Sequence, residues 1–474
     1  MQRIIFFLVS LLILASVSCR KDRIIEDSSA MLSFSEESIL FDTVFTTLGS
    51  TTKRFKVYNN HNQSIRVSNI RLGSGITSSF RMNVDGISAV NIGEVIIPKK
   101  DSIYVFVEVT VNPTNQNNPL VIRDSITFET NGNTQHVLLE AWGQDAYYHK
   151  PTVFPANGFP PYSVFDCNDV WTNDKPHVIY GYAVVDSSCT LTIMPGTRVH
   201  LYKNAVLWVY KDGTLNVAGA KGNEVKFSGT RLEPSYDNVP GQWGRIWFSA
   251  LSKNNSIDWA IIKNGAIGLH VDTFPNTLAP TLHIKNTIVK NMSSFCILGQ
   301  GAKIRAYNSV FADAGEYVAA LTIGGAYGFY HCTFASYNTS RTNPLLLVKN
   351  WYEDVFKVKH VRGIDSAYFG NCIVYGSTAN EIKLDSLPGK FYYKFDHCLL
   401  KTDINTSSAY HFKNNVLNQE PYFGDVGNVS MGINSNSAAR NIGDLQIGTN
   451  YPVDFNTNSR IADGMPDAGA FEYQ

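Results

Sequence analysis

Between residues 189 and 230 the apolar residues arrive in pairs, the members two positions apart: Leu191/Ile193, Val199/Leu201, Leu207/Val209, Leu215/Val217 and Val225/Phe227. Alternation within a pair marks a strand with one buried face, and steps of about eight residues leave room only for turns, which Gly196, Gly213 and Gly222 help to make. Strands this short and this closely spaced do not suit a sandwich with long connections. Three of them per turn make a coil of about 24 residues, and its inward side chains are buried only when another coil stacks on it. The pattern predicts a parallel β-helix.

Further along, one position recurs as Asp258, Asn286, Asn308, His331, Asn371 and His397, at steps of 28, 22, 23, 40 and 26 residues. The next position reads Trp259, Thr287, Ser309, Cys332, Cys372 and Cys398. Histidine beside cysteine suggests a metal centre, but a metal needs its ligands converging on a point at about 2.0–2.3 Å. A solenoid instead spreads equivalent residues along its axis at about 4.8 Å per coil. Cysteine replacing Thr and Ser at one repeated site reads as a small buried side chain, so no metal and no cofactor are expected. Cys372 and Cys398 come within disulfide reach if their coils are adjacent. Cys167 and Cys189, flanking the first coil, are the better candidate pair.

Residues 31–147 have a different rhythm. Phe55 and Val57, Ile65 and Val67, and Ile103, Val105, Val107 and Val109 alternate over short strands, and "SITFETNGNTQHVLLEAWG" makes a hairpin about Asn131-Gly132. A β-sandwich follows, and the chain as a whole reads as all-β. The segments "FDTVFTTLGSTTKRFKVYNNHNQSIRVSNI", "IPKKDSIYVFVEVTVNP", "DSITFETN" and "HVLLEAWGQ" resemble abnormal-spindle/hydin-like immunoglobulin-type modules, which implies a spacer or binding platform. The proline-rich stretch 148–164 reads as a hinge before the β-helix of 165–474.

The N-terminus, "MQRIIFFLVSLLILASVSCRKD", carries one arginine, an apolar run too short to span a bilayer comfortably, small residues and then Cys19. It resembles a bacterial lipoprotein signal over 1–19, with Cys19 acylated and 20–30 as a linker. "RKDRIIEDSS" resembles the export signals of Bacteroidetes surface lipoproteins. The resemblance implies an outer-membrane lipoprotein facing the cell surface, with the periplasmic face as the alternative. The triplets Asp42-Thr43-Val44, Asp101-Ser102-Ile103, Asp124-Ser125-Ile126 and Asp365-Ser366-Ala367 resemble O-glycosylation sites of the same bacteria. With 40 Lys plus Arg against 40 Asp plus Glu, no global field draws nucleic acid.

"TLTIMPGTRVHLYKNAVLWVYKDGTLNVAGAKGNEVKFSGT" with "GQWGRIWF" resembles the opening of right-handed parallel β-helix proteins, and "SAARNIGD" with "DFNTNSRIADGMPDAGAFEYQ" resembles the C-terminal segment of choice-of-anchor Q proteins. Right-handed β-helices include polysaccharide lyases and hydrolases. No set of paired carboxylates points to a hydrolase here. The 40-residue step contains the surplus segment "NWYEDVFKVKHVRG", where Trp351, Tyr352 and Lys359 could bind a sugar and Lys357, His360 and Arg362 could serve a lyase. The loop "RLEPSYDNVPGQWGR" adds Tyr236, Asp237 and Trp243 as candidate contacts, with packing the better reading of Trp243. A lipid-anchored, non-catalytic glycan-binding protein is the leading expectation. A lyase or hydrolase acting on acidic glycans and a protein-binding scaffold are the alternatives.

Overall fold

The computed structural model describes residues 23–46, 48–112, 120–156, 158–272, 280–337, 341–424 and 431–474. The chain forms two compact units, one ending at Asp145 and one starting at Ala146. Among the described residues the first is a β-sandwich of a seven-stranded and a five-stranded sheet. Its core holds the alternating residues Phe55, Val57, Ile65, Val67, Ile103, Val105, Val107 and Val109. Asn131 and Gly132, both at positive φ, close the hairpin of Leu120–Thr130 with Asn133–Gln144 in the turn geometry that Asn-Gly favours. Ile24–Ile25, inside the expected linker, adds a strand beside Ser64–Ile65.

The second unit is a parallel β-helix with three faces. Among the described residues the first face has eleven strands, running from Tyr147–His149 to Val416–Leu417. The second has nine, from Tyr162–Val164 to Ile382–Asp385, and the third ten, from Val170–Trp171 to Phe412–Lys413. The stretch 148–164 is therefore no hinge. Its two ends pair in parallel with His177–Ile179 and Tyr182–Val185, and its prolines occupy the corner between them. All ten residues of the opening apolar pairs are buried.

In-register pairing places like on like inside the coil. On the third face Phe329, Phe369, Phe395 and Phe412 lie in one column, with successive centroids 5.2, 4.8 and 5.5 Å apart and planes within 9° of parallel. The corner after that face needs a left-handed residue. Trp259, Asn286, Asn308, His331, Asn371, His397 and Asn414 fill it, all at φ between 47° and 53°. This corrects the repeat by one residue at its start: Asp258 pairs with Lys285, and Trp259 stands level with Asn286. The following column is consequently Ala260, Thr287, Ser309, Cys332, Cys372 and Cys398. The last three are free, buried thiols directed at main-chain carbonyls.

Residues 431–474 fold back over the first face. Met431, Ala470 and Phe471 cover Ile288, Val310, Ala312 and Ala335, while Ile433, Ala439 and Ala468 cover Ile373, Tyr375 and Leu399. The corner ladder holds this tail. Asn308 donates to the Val453 carbonyl and accepts from Arg460, and Asn371 exchanges hydrogen bonds with the main chain of Asp444. Arg460 is fully buried and lies 3.3 Å from Glu472. Burial and the neighbouring Asp467 push the Glu472 carboxyl up to about 8 against the pull of Arg460.

Removing a ring from the middle of the phenylalanine column leaves a cavity that stacked coils cannot close. Phe369→Ala should lower unfolding free energy by about 3–5 kcal/mol. A denaturant titration showing a loss below about 1 kcal/mol would contradict this packing.

Candidate functional site

The surplus segment is a small antiparallel hairpin, Trp351–Glu353 against Lys359–Val361. Its polar groups pair with one another. His360 Nε2 lies 2.7 Å from Asp354, whose carboxylate also accepts from the amides of Phe356 and Val358 and is held below the usual range mainly by the His360 hydrogen bond. Lys357 reaches Glu353 at 3.1 Å with 85% of its side chain exposed. Arg362 is exposed just past the hairpin's second strand, its amide donating to the Asn350 carbonyl. Trp351 donates to Asp385 and has Lys349 and Lys359 over its ring at 3.5 and 4.7 Å, and Tyr352 stacks on His360. Lys357 and His360 thus engage acidic groups of their own hairpin, and the aromatic rings are already in contact. The bare part is the tip, where Val355 and Phe356 are 88% and 83% exposed.

Tyr236 is half-buried in a short 3-10 turn. Trp243, a candidate ligand contact better read as packing, is part of the core: it has no exposed surface, and its indole N–H donates to the Lys263 carbonyl. In the strand Trp243–Phe248 a register shift between Arg245 and Ile246 breaks the alternation, so that Trp243, Ile246 and Phe248 are all buried while Arg245 and Trp247 are partly exposed. Cys167 and Cys189 are joined as a disulfide with their Cα atoms 4.7 Å apart. Cys19 lies outside the described residues.

A different group of side chains gathers on the outer side of the second face. Register sets Trp208 level with Trp247, and Trp247 level with His270; Asp272 is level with Gln300 on the next coil. The two indoles stack at 5.0 Å with planes 10° apart, and the His270 ring continues the row at 5.9 Å. Arg245 lies over Trp247 at 5.1 Å and donates from Nη1 to His270 Nδ1 at 3.0 Å. His270 Nε2 stands 2.9 Å from Gln300 Oε1 and 3.0 Å from Asp272 Oδ1, while the Trp247 indole donates to Asp272 Oδ2 at 2.8 Å. Burial works to raise the Asp272 carboxyl, but the hydrogen bonds from His270 and Trp247 and the Arg245 charge outweigh it and hold it below the usual range.

Beyond Trp208 the row opens into a groove of about 390 Å³ lined by Pro155, Phe159, Tyr162, Val164, Val184, Asp186, Trp208 and Tyr210. That size falls within the range of about 300–1,000 Å³ usual for ligand pockets. A rigid aromatic row with polar groups at one end and a carboxylate at the other suits a ligand with both apolar C–H faces and hydroxyls. Sequence reading missed Trp208, Arg245, Trp247, His270, Asp272 and Gln300. The available signal was the outward phase of "WGRIWF" and "GLHVD", legible once the inward residues are fixed.

No family of known proteins and no curated protein matches the chain. Among solved structures it is similar to a family 123 glycoside hydrolase from Clostridium perfringens, with 7% identity and a TM-score of 0.19 over 25% of this chain and 30% of that one. It is also similar to PapD-like domain 7 of human CEP192, with 10% identity and a TM-score of 0.18 over 27% and 96%. A third likeness is to the catalytic unit of a GH87 α-1,3-glucanase from Streptomyces thermodiastaticus strain HF3-3, with 11% identity and a TM-score of 0.23 over 77% and 66%. The functional reading accordingly rests on the chain's own side chains.

A guanidinium only donates, so Nδ1 of His270 must accept and the proton sits on Nε2, facing Asp272 and Gln300. Long-range ¹H–¹⁵N correlation spectra at neutral pH should show the Nε2–H tautomer. An Nδ1–H pattern would contradict the cluster as drawn.

Proposed function

We propose that this protein is a non-catalytic, glycan-binding β-helix of the bacterial cell envelope. The observation that carries the reading is the outward Trp208–Trp247–His270 row running into the aromatic groove. A saccharide chain laid along the axis would meet ring edges for its C–H groups and the polar groups of Asp186 and Gln300 for its hydroxyls. The partner is therefore a surface polysaccharide. The signal-like N-terminus supports attachment to the outer membrane through a lipid on Cys19, oriented toward the cell surface, with the immunoglobulin-like unit as spacer. The tail motifs support kinship with the anchored β-helices of the choice-of-anchor Q type.

A second reading has its own observation. The exposed Val355 and Phe356 at the hairpin tip suit a protein partner, as a scaffold of a surface assembly would require.

The test is size-exclusion chromatography of the chain from Arg20 onward with a panel of neutral and acidic polysaccharides. At least one polymer should co-elute at unchanged length, and the Trp208→Ala/Trp247→Ala double variant should lose roughly tenfold or more in affinity, since aromatic anchors carry about 2 kcal/mol each. Shortening of a polymer would replace the binding reading with an enzymatic one. Full binding by the double variant would remove the second face as the site.

A further inference from the structure

Within this cluster, one charged group among the described residues has bonding capacity that is largely unspent. Each oxygen of Asp272 is engaged, Oδ1 with His270 and Oδ2 with the Trp247 indole. Both ring nitrogens of His270 are engaged too. Arg245 differs. It has five N–H donors in a planar fork and gives one to His270, and no carboxylate among the described residues lies within ion-pair distance of it. It is half-buried, stacked over Trp247 and fixed at one corner by the His270 ring, so its orientation is set before any ligand arrives. Asp272 and His270 therefore act on Arg245 as a prop: the carboxylate fixes the ring, and the ring fixes the guanidinium.

We infer that Arg245 reads an anionic substituent, a carboxylate or sulfate on a saccharide, so that the ligand of the second face is an acidic polysaccharide. This rests on the glycan reading above and narrows it. A planar fork held over an indole matches the two oxygens of a carboxylate or two of a sulfate, whereas a sugar hydroxyl would occupy one donor and leave the others to water. The site differs from the hairpin at 351–361, where Lys357 and His360 are already paired with acidic side chains. It also sets a direction. An anionic group at Arg245 places the rest of the chain along Trp247 and Trp208, toward the aromatic groove.

The experiment measures affinity of the full mature chain for four probes: polygalacturonate, its fully methyl-esterified form, dextran sulfate and neutral dextran. The comparison is made for wild type, Arg245→Gln and Arg245→Lys, with thermal melting to confirm folding. Wild type should prefer polygalacturonate over its ester, or dextran sulfate over dextran, and whichever pair discriminates tells carboxylate from sulfate. Arg245→Gln should lose roughly ten- to a hundredfold on the acidic polymer, the size of a charge-assisted hydrogen bond, and with it the preference for the acidic polymer over the neutral one. Arg245→Lys should recover part of the preference, keeping the charge without the fork. If wild type binds charged and neutral polymers alike, or Arg245→Gln keeps the full preference, the assignment of Arg245 is overturned while the glycan reading stands. If no probe binds, both fall.

Discussion

Everything in the larger unit follows from parallel main-chain pairing held in register over its coils. Adjacent strands lie about 4.8 Å apart, so a residue type repeated at one coil position becomes a column at nearly the contact distance of stacked rings. Inside, the constraint builds the phenylalanine stack from Phe329 to Phe412. At one corner it builds the row from Trp259 to Asn414, where asparagine dominates because it tolerates the left-handed backbone and its amide can pass hydrogen bonds to the coils above and below. On the outside it stacks Trp208, Trp247 and His270.

A solenoid face left bare must be polar or covered, and the chain handles its faces differently. The first face carries Ile288, Val310, Ile373 and Leu399 outward and is covered by the tail, clamped through Asn308, Asn371 and Arg460. Tyr451 of the same tail rests on Tyr307 and Tyr330 of the third face. The second face keeps its aromatic and charged residues outward across adjacent coils. That contrast makes the tail a structural element of the first face.

The architecture was legible because burial acts on neighbours in sequence. Leu191 and Ile193 announce a strand within three residues, and Asn131-Gly132 announces its own turn. The corner repeat was legible too, apart from its ends: at the first the polar Asp258 drew attention from Trp259, an uncommon residue for a left-handed position, and at the last Asn414 was not joined to the row. The proline-rich 148–164 misled for a related reason: prolines mark a break in pairing, and here the break is one corner of a coil. The candidate site was not legible. Arg245, His270 and Gln300 are 25 and 30 residues apart, and only the register of three coils brings them together. The hairpin was visible as surplus length, but length does not reveal that Asp354 occupies His360 or that lysines cover Trp351.

The central claim is that ligand meets the second face of the coil. Hydroxyl-radical footprinting with and without a bound polysaccharide tests it directly, since Trp, Tyr and His side chains report their own exposure. Protection of Trp208, Tyr210 and Trp247 with Trp351 and Phe356 unchanged is the predicted result. Protection confined to Trp351, Tyr352 and Phe356 would move the binding surface to the hairpin and contradict the account.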